Sequence, residues 1–431
     1  IILFWVVHLT NMRVHWSYDI SGYLTLSPTF HKMAKTLPEE LVIYRIHRSI
    51  SRERLDDLLD EIRRLGKGKI KVEPWRVNVH FGKLRPLGLL TPPQDGLVLQ
   101  LGNKVTSIAI NNLDVPSREA EVSIARAINL LDPANQKFKV YFSRGHGEKS
   151  TEALQRLVST IGMQGESLSL ASVDKLDTTS TALVIAGPRV PFTPSETSTV
   201  QDYLHRGGRL LLCIDRTNFV AAEGLLKLLP VESSGEIVVS STHSLAGGGQ
   251  TSLIVVPKDN HPITDISGRI QLIMPTATPL KLKPDREDPL HANLITTQHS
   301  AATINRSEEV ESPELWQRKG PYNLAVTVEG PKRKHPYHAA IFGDSDIFSD
   351  RILLRYPTNV TFALATMTWL CSMPPPAGIS QGPLQIPVVL SRAQAKQMMY
   401  LVAVAPAFIA LFLGFFAWRQ YRKRFAKRDS E

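Results

Sequence analysis

The stretch ALVIAGPRVPFTPSE, residues 182–196, decides the reading of this chain. Five apolar residues run without a polar break into Gly187-Pro188, the pattern of a short strand buried on both faces rather than one half open to water. Thr193-Pro194-Ser195-Glu196 then has a capping hydroxyl, a proline in the first turn and an acid three residues on, which opens a helix. His205-Arg206-Gly207-Gly208 closes that helix, and RLLLCID (209–215) is a second buried strand. Upstream, the strand KFKVYFS (137–143), the turn RGHGE (144–148), the helix STEALQRLVSTIG (150–162) and the strand SLSLASV (167–173) continue the alternation. Strands alternating with helices make a parallel sheet covered on both faces, a doubly wound α/β unit. In such sheets, ligands collect at the carboxyl ends of strands. The candidate ligand or partner face is therefore Arg144, His146 and Glu148, with Gly187, Asp215 and, from GDSD at 343–346, Asp344 and Asp346.

Residues 13–135 are expected to form an earlier α/β domain. LSPTFHKMAKTL starts a helix with a Ser27 cap and Pro28, and LVIYRIH (41–47) is a strand. SRERLDDLLDEIRRLG places Leu55, Leu58, Leu59, Ile62 and Leu65 on one helical face. KIKVEPW, GLVLQLG and KVTSIAI are further strands, and PSREAEVSIARAINLLD is a second amphipathic helix; a mostly parallel sheet is expected. The doubly wound domain takes 136–230 plus 320–373, where NLAVTVEGP and HAAIFGDSDIF return to the sheet and TNVTFALATMTWLCS is a helix. A β-rich insert with long loops takes 231–319, and Lys283 to Trp316 within it is expected to be an exposed loop. Residues 374–397 are a proline-glycine linker.

Met398 to Trp418, MMYLVAVAPAFIALFLGFFAW, holds no charge. At about 1.5 Å per residue, one helix of this length crosses the roughly 30 Å hydrocarbon core of a bilayer. Pro406 falls mid-span and Trp418 at the interface. Arg419, Arg422, Lys423 and Arg424 begin a basic tail (419–431) that sets the C-terminus inside the cell by the positive-inside rule. Residues 1–12, opening IILFWVVHL, are expected to be the end of a first membrane helix, with a hydrophobic first strand as the alternative. Everything between the anchors then lies outside the cytoplasm.

The chain of 431 residues has a formal charge of +10, but the tail, with six cations and two acids, carries +4 of it. The remainder is mild, and PKRKHPYH (331–338) reads as a solvated hairpin, so nucleic acid is not expected as a partner. Two cysteines, Cys213 and Cys371, exclude a disulfide scaffold. Neither sits on a strand-to-helix elbow flanked by small residues, and Ser143, Ser195 and Ser345 lack G-x-S-x-G context, so no nucleophile is assigned. H-x-E at 146–148 is a weak metal or acid/base spacing, set against a turn shaped by Gly145 and Gly147. GDSD is a weak cation site, set against a helix-capping turn. No phosphate-cradling G-x-x-x-x-G-K-[ST] occurs, so ATP chemistry would have to come from another chain. No cofactor is expected.

Several motifs spread over the chain carry a resemblance: YLTLSP, AEVSIARAINLL, KVYFSRGHGE, LVIAGPRVPFTPSE, YLHRGGRLLLCID, HPITDI, KGPYNLAVTVEG, and IFGDSDIFSD followed by TNVTFALATMTWL. In this order, with the flanking apolar ends, the chain resembles the GldG-like auxiliary component of ABC transporters associated with gliding motility. The resemblance implies an extracytoplasmic domain related to the degenerate glutamine-amidotransferase-like domain also found in an intraflagellar transport protein. It implies a non-enzymatic accessory subunit of an ABC-2-type exporter in a bacterial inner membrane. Its partners would be a multi-span permease and a separate ATPase, alone or as part of a homo- or hetero-oligomer, with docking through Ser17 to Pro28 and Pro374 to Arg392. The alternative from another class is a periplasmic hydrolase or amidase acting on cell-wall material through the GHGE and GDSD loops.

Overall fold

The computed structural model describes residues 26–47, 53–76, 96–109, 117–133, 137–258, 261–267, 270–283, 290–317, 320–330, 336–373, 391–400, 402 and 405–428. The chain divides into two compact units, one ending at Ala134 and the other beginning at Asn135. The expected first membrane helix at 1–12, residues 17–25 of the expected docking segment Ser17 to Pro28, and residues 374–390 of the expected linker 374–397 lie outside the described residues.

In the first unit, α1 (Pro28–Thr36), β1 (Leu41–His47), α2 (Glu53–Leu65), β2 (Ile70–Arg76), β3 (Gly96–Leu101), β4 (Lys104–Ala109) and α3 (Ser117–Leu131) follow in sequence. Ser27 caps α1 by accepting from Phe30 N. The sheet order is β2-β1-β3-β4. Only β1 and β2 are parallel, and β3 runs antiparallel to both β1 and β4. The expected mostly parallel sheet is therefore mixed here: β3 and β4 form a hairpin across Gly102-Asn103, too short a connection for a parallel crossover. The three helices cover one face, where Phe30, Leu55, Leu58, Leu59, Ile62, Ile124 and Ile128 meet Leu41, Ile43, Leu97 and Leu99.

The second unit is built on a nine-stranded sheet. Its first part is β5 (Lys139–Ser143), α4 (Glu152–Ser159), β6 (Gln164–Leu168), β7 (Thr181–Ala186), α5 (Pro194–His205), β8 (Arg209–Cys213) and α6 (Glu223–Leu226). Then come β9 (Val231–Ser233), β10 (Ile237–Val239), β11 (Leu253–Val255), α7 (Pro262–Ser267), β12 (Leu272–Met274), β13 (Leu280–Leu282), β14 (Leu290–Thr296) and β15 (Ala302–Ile304). The chain returns through β16 (Asn323–Glu329), β17 (His338–Phe342), α8 (Asp350–Leu353) and α9 (Pro357–Leu370). The order is β6-β5-β7-β8-β17-β16-β13-β9, with β14 lying along β16. Strands β6, β5, β7, β8 and β17 are parallel; β16, β13 and β9 are antiparallel additions.

All six residues of β7 are buried, Thr181 and the five-residue apolar run that follows it. On one face, α4, α7 and α9 bring Leu154, Ile263 and Phe362 against Val140, Phe142, Val184, Leu211 and Phe342. On the other, α5 and α6 bring Val200, Tyr203 and Leu225 against Leu183, Ile185, Leu212 and Ile341. The sheet is thus doubly wound. Helix α9 is buried nearly all round, so its threonines have no water to bond. Thr366 and Thr368 instead donate to Phe362 O and Leu364 O one turn back.

Two expectations fail in detail. SLSLASV is not the strand: β6 ends at Leu168 and Leu170–Ser172 is a single 3-10 turn. Lys283 to Trp316 is not an exposed loop, because β14 pairs along β16 and buries Leu294 and Ile295, while β15 pairs with β10. The residues expected as an insert therefore add three strands, β9, β13 and β14, to the main sheet.

At the C-terminal end are α10 (Arg392–Met399) and α11 (Ala405–Arg428). Among the described residues no helix is long and apolar enough to cross a membrane. Of the expected span 398–418, Met398 and Met399 end α10, 401, 403 and 404 lie outside the described residues, and residues 405–418 are the fourteen uncharged residues of α11 before Arg419. At about 1.5 Å per residue these reach roughly 21 Å. Pro406 is the second residue of α11. Arg422, Lys423 and Arg424 lie on the second half of the same helix.

Candidate functional site

The parallel order places the loops after β5, β7, β8 and β17 on one edge of the sheet. The turn after β5 is held from within. Glu148 accepts from Ser143 Oγ at 2.6 Å and from His146 N at 2.8 Å. Gly145 and Gly147 have φ of 117° and 69°, left-handed conformations that favour glycine. The turn reading of GHGE therefore describes the backbone. The imidazole of His146 is buried and stacks on Phe192, with ring centroids 4.0 Å apart, and its Nε2 lies 3.0 Å from Glu196 Oε1. Glu196 is also the capping-box acid of α5, bonded to Thr193 N and Oγ1. Burial opposes its charge, but the Thr193 donors and His146 outweigh burial and hold its carboxyl below the usual range. The buried Nδ1 of His146 has no hydrogen-bond partner among the described residues. Arg144 joins this turn through its backbone, donating to Leu168 O.

The second half of the edge is ionic. Lys149 Nζ lies 3.0 Å from Asp215 Oδ2 and 3.0 Å from Asp346 Oδ1. Burial works against the ammonium, yet the two carboxylates raise its pKa. Asp215 also takes Ser345 N at 2.8 Å and Ser345 Oγ at 2.7 Å. Gly187 sits over this pair with φ of 61°, and a Cβ there would lie 2.6 Å from Ser345 Oγ and 3.0 Å from Asp215 Oδ2, so only glycine fits. Asp344, wholly buried, accepts from Asp346 N at 2.8 Å and Thr276 N at 3.0 Å. Burial first, then the Asp346 carboxylate, push it up to about 7 against the Thr276 N–H. Asp346 opens the 3-10 turn Asp346–Phe348, so GDSD shapes a turn.

His146, Glu148, Gly187, Asp215, Asp344 and Asp346 are thus brought to one edge in two adjoining networks. Reading the sequence missed Lys149, the cation that joins the β5, β8 and β17 loops, although it directly follows GHGE. It also weighed Ser345 only as a nucleophile, not as the partner of Asp215, and missed the second role of Glu196, a residue fifty positions from its imidazole partner. Chemically, the edge holds its acids in fixed bonds. Among the described residues no group of three His, Cys, Asp or Glu is placed to hold a metal ion. Cys213 is buried in β8, where burial and then Asp215 raise its thiol well above the usual value; burial pushes Cys371 up to about 12. A thiol of that kind stays protonated and is a poor nucleophile at neutral pH.

Near the chain end, Arg392 ties α10 to the body, its N–H donating to Ser244 O and its Nη2 to Gly248 O at 2.5 Å. Beside it is a cavity of about 290 Å³ whose lining includes Ile254, Val256, Gln298 and Gln394.

Residues 137–233, which span β5 to β9 and three of the four edge loops, match the model of a family described as an ABC-type uncharacterized transport system. No curated protein matches the chain. Among solved structures, the N-terminal domain of mmIFT52 is similar at 17% identity with a TM-score of 0.41, over 54% of this chain and 96% of that one. A GMP synthase-like protein from Thermoplasma acidophilum is similar at 13% identity with a TM-score of 0.26, over 55% and 94%.

Proposed function

We propose that this chain is a non-catalytic accessory subunit of an ABC-2-type transporter, of the GldG-like kind, whose body lies on the outer side of a bacterial inner membrane. The observation that carries this is the match of residues 137–233 to a family of ABC-type transport systems. The strand-edge loops 144–149 and 187–192 fall inside that match, and the face they form is the proposed contact with a partner or cargo. The membrane link is the apolar C-terminal segment with its basic tail. In support, Phe408, Ile409, Leu411, Phe412, Leu413, Phe415, Phe416 and Trp418 are all exposed on α11. At about 100° per residue they and the intervening small residues leave no polar stripe, which suits a lipid solvent. Arg419, Arg422, Lys423 and Arg424 then face the cytoplasm. The 431 residues contain no phosphate-cradling G-x-x-x-x-G-K-[ST], and the proposed partners are a multi-span permease and a separate ATPase.

Purification of the tagged full-length protein from its native cells in mild detergent, with mass spectrometry of what accompanies it, tests this. Recovery of a multi-span permease and a nucleotide-binding subunit in fixed ratio is the expected result. Recovery of the chain alone, or with wall-remodelling enzymes, would overturn it.

A further inference from the structure

Strands β5, β7, β8 and β17 are neighbours, so at about 4.8 Å per strand their outgoing loops share an edge roughly 15 Å across. These loops, with the short helix that follows β17, carry five arginines (Arg144, Arg189, Arg216, Arg351 and Arg355) and one lysine, Lys149. They carry nearly as many acids, but the acids face inward. Glu148 is bonded to Ser143 and His146, Asp215 to Ser345 and Lys149, and Asp344 to Thr276 and Asp346. Asp350 accepts from Ser150 Oγ at 2.5 Å and from Ala153 N at 2.7 Å. Lys149 is spent between Asp215 and Asp346.

Arg216 is half-buried and donates from its guanidinium to Asn305 O; the other four arginines are disposed differently. Arg189 and Arg355 are exposed, and Arg144 is half-buried. Arg351 keeps 70% of its side chain in solvent, with Asp346 at 3.5 Å. The Arg189 stem lies beside Gly147, and its N–H donates to His146 O, so it is fixed on the GHGE turn. The same loops carry three exposed aliphatic side chains, Val190, Val220 and Leu354.

We infer that this edge docks an acidic protein segment, whose carboxylates pair with Arg144, Arg189 and Arg351 while its aliphatic side chains cover Val190 and Leu354. The inference rests on the accessory-subunit reading and gives the chemistry of the partner. Guanidinium forks bind carboxylates bidentately, and protein interfaces are enriched in arginine and depleted in lysine, the bias seen here. A face built for lipid would combine its cations with exposed Trp or Phe. The exposed apolar residues here are Val and Leu.

The test uses the full-length protein in mild neutral detergent, titrated with a fluorescent octaglutamate peptide at low and moderate salt. Wild type binds, and R189E/R351E binds at least tenfold more weakly with a shallower salt dependence. R189K/R351K falls between, because charge remains but the fork is lost. Replacing Arg419, Arg422, Lys423 and Arg424 by alanine controls for the basic tail and leaves the wild-type to R189E/R351E difference unchanged. Equal binding by wild type and R189E/R351E overturns the inference, as does a difference that disappears with the tail. Mixed micelles containing phosphatidylglycerol that displace the peptide from wild type, but have no hold on R189E/R351E, would identify lipid as the occupant and overturn it too. Octaglutamate binding as expected, without any permease recovered from cells, would instead sink the accessory-subunit reading alone.

Discussion

Two places in the second unit bury polar groups by two different means. At the carboxyl edge of the nine-stranded sheet the buried groups are ionic: Lys149 is shared by Asp215 and Asp346, with Asp344 wholly enclosed beside them. On the face covered by α7 and α9 they are neutral. Asn359 accepts from Ile273 N at 3.1 Å and donates to Ile273 O at 3.0 Å, stitching α9 to β12. His261 receives Ile263 N at its Nδ1 and lies 2.9 Å from Thr327 Oγ1. Neutral pairs hold a core together at little desolvation cost, whereas buried charges cost several kcal/mol each before they pair. A fold that needed only stability could have closed its strand ends with neutral groups. The ionic edge is therefore the place where demands other than stability are legible, and it is where the proposed docking face lies.

The largest expected effect that separates the two regions is Lys149→Ala, which leaves Asp215 and Asp346 facing each other in a nearly closed site. A loss of about 3 to 5 kcal/mol is expected in chemical denaturation. Lys149→Ala with wild-type stability would show that water already screens the edge, and the contrast would fail.

The pH dependence comes next, and its two contributions have opposite signs. Burial lowers the pKa of His261 from 6.5 to about 4, so its contribution to stability is present above pH 6.5 and lost as pH falls towards 4, about 3 kcal/mol in all. Asp344 is raised from 3.8 to about 7, so its contribution is present below 3.8 and lost as pH rises towards 7, about 4 kcal/mol. Between pH 4 and 6.5 the two oppose each other, and wild-type stability should change little on their account. Asp344→Asn should expose a stability that climbs with pH, and His261→Gln one that declines. Urea midpoints at pH 4.5, 5.5 and 6.5 would read both slopes, and parallel profiles for the two variants would contradict the assignment. The smallest effect is Asn359→Ala, which orphans the Ile273 N–H and C=O and should cost about 2 kcal/mol by thermal or urea unfolding.

Much of this was legible in one dimension where the cause is local. β1 occupies the residues of LVIYRIH, Ser27 caps α1, and Thr193 and Glu196 form the capping box of α5, because caps and apolar runs act within a few residues. The strand-end rule also brought His146, Gly187, Asp215 and Asp344 to one edge, since parallel order alone fixes which ends coincide. What could not be read depends on partners far along the chain. Leu294 and Ile295 lie in a polar stretch with no period of its own, and they become strand only through β16. The hairpin that makes the first sheet mixed depends on a two-residue connection rather than on composition.

The sequence by itself determined the doubly wound centre, the helix starts, the glycines that the edge turns demand and the uncharged C-terminal stretch, all consequences of covalent geometry and short-range periodicity. Tertiary structure alone decided that Lys149 is shared by Asp215 and Asp346, that His146 meets Glu196, and that the acids of the strand edge are bonded inward while Arg189, Arg351 and Arg355 are exposed. Charge is additive along a chain, but its direction and its desolvation exist only after distant strands have met.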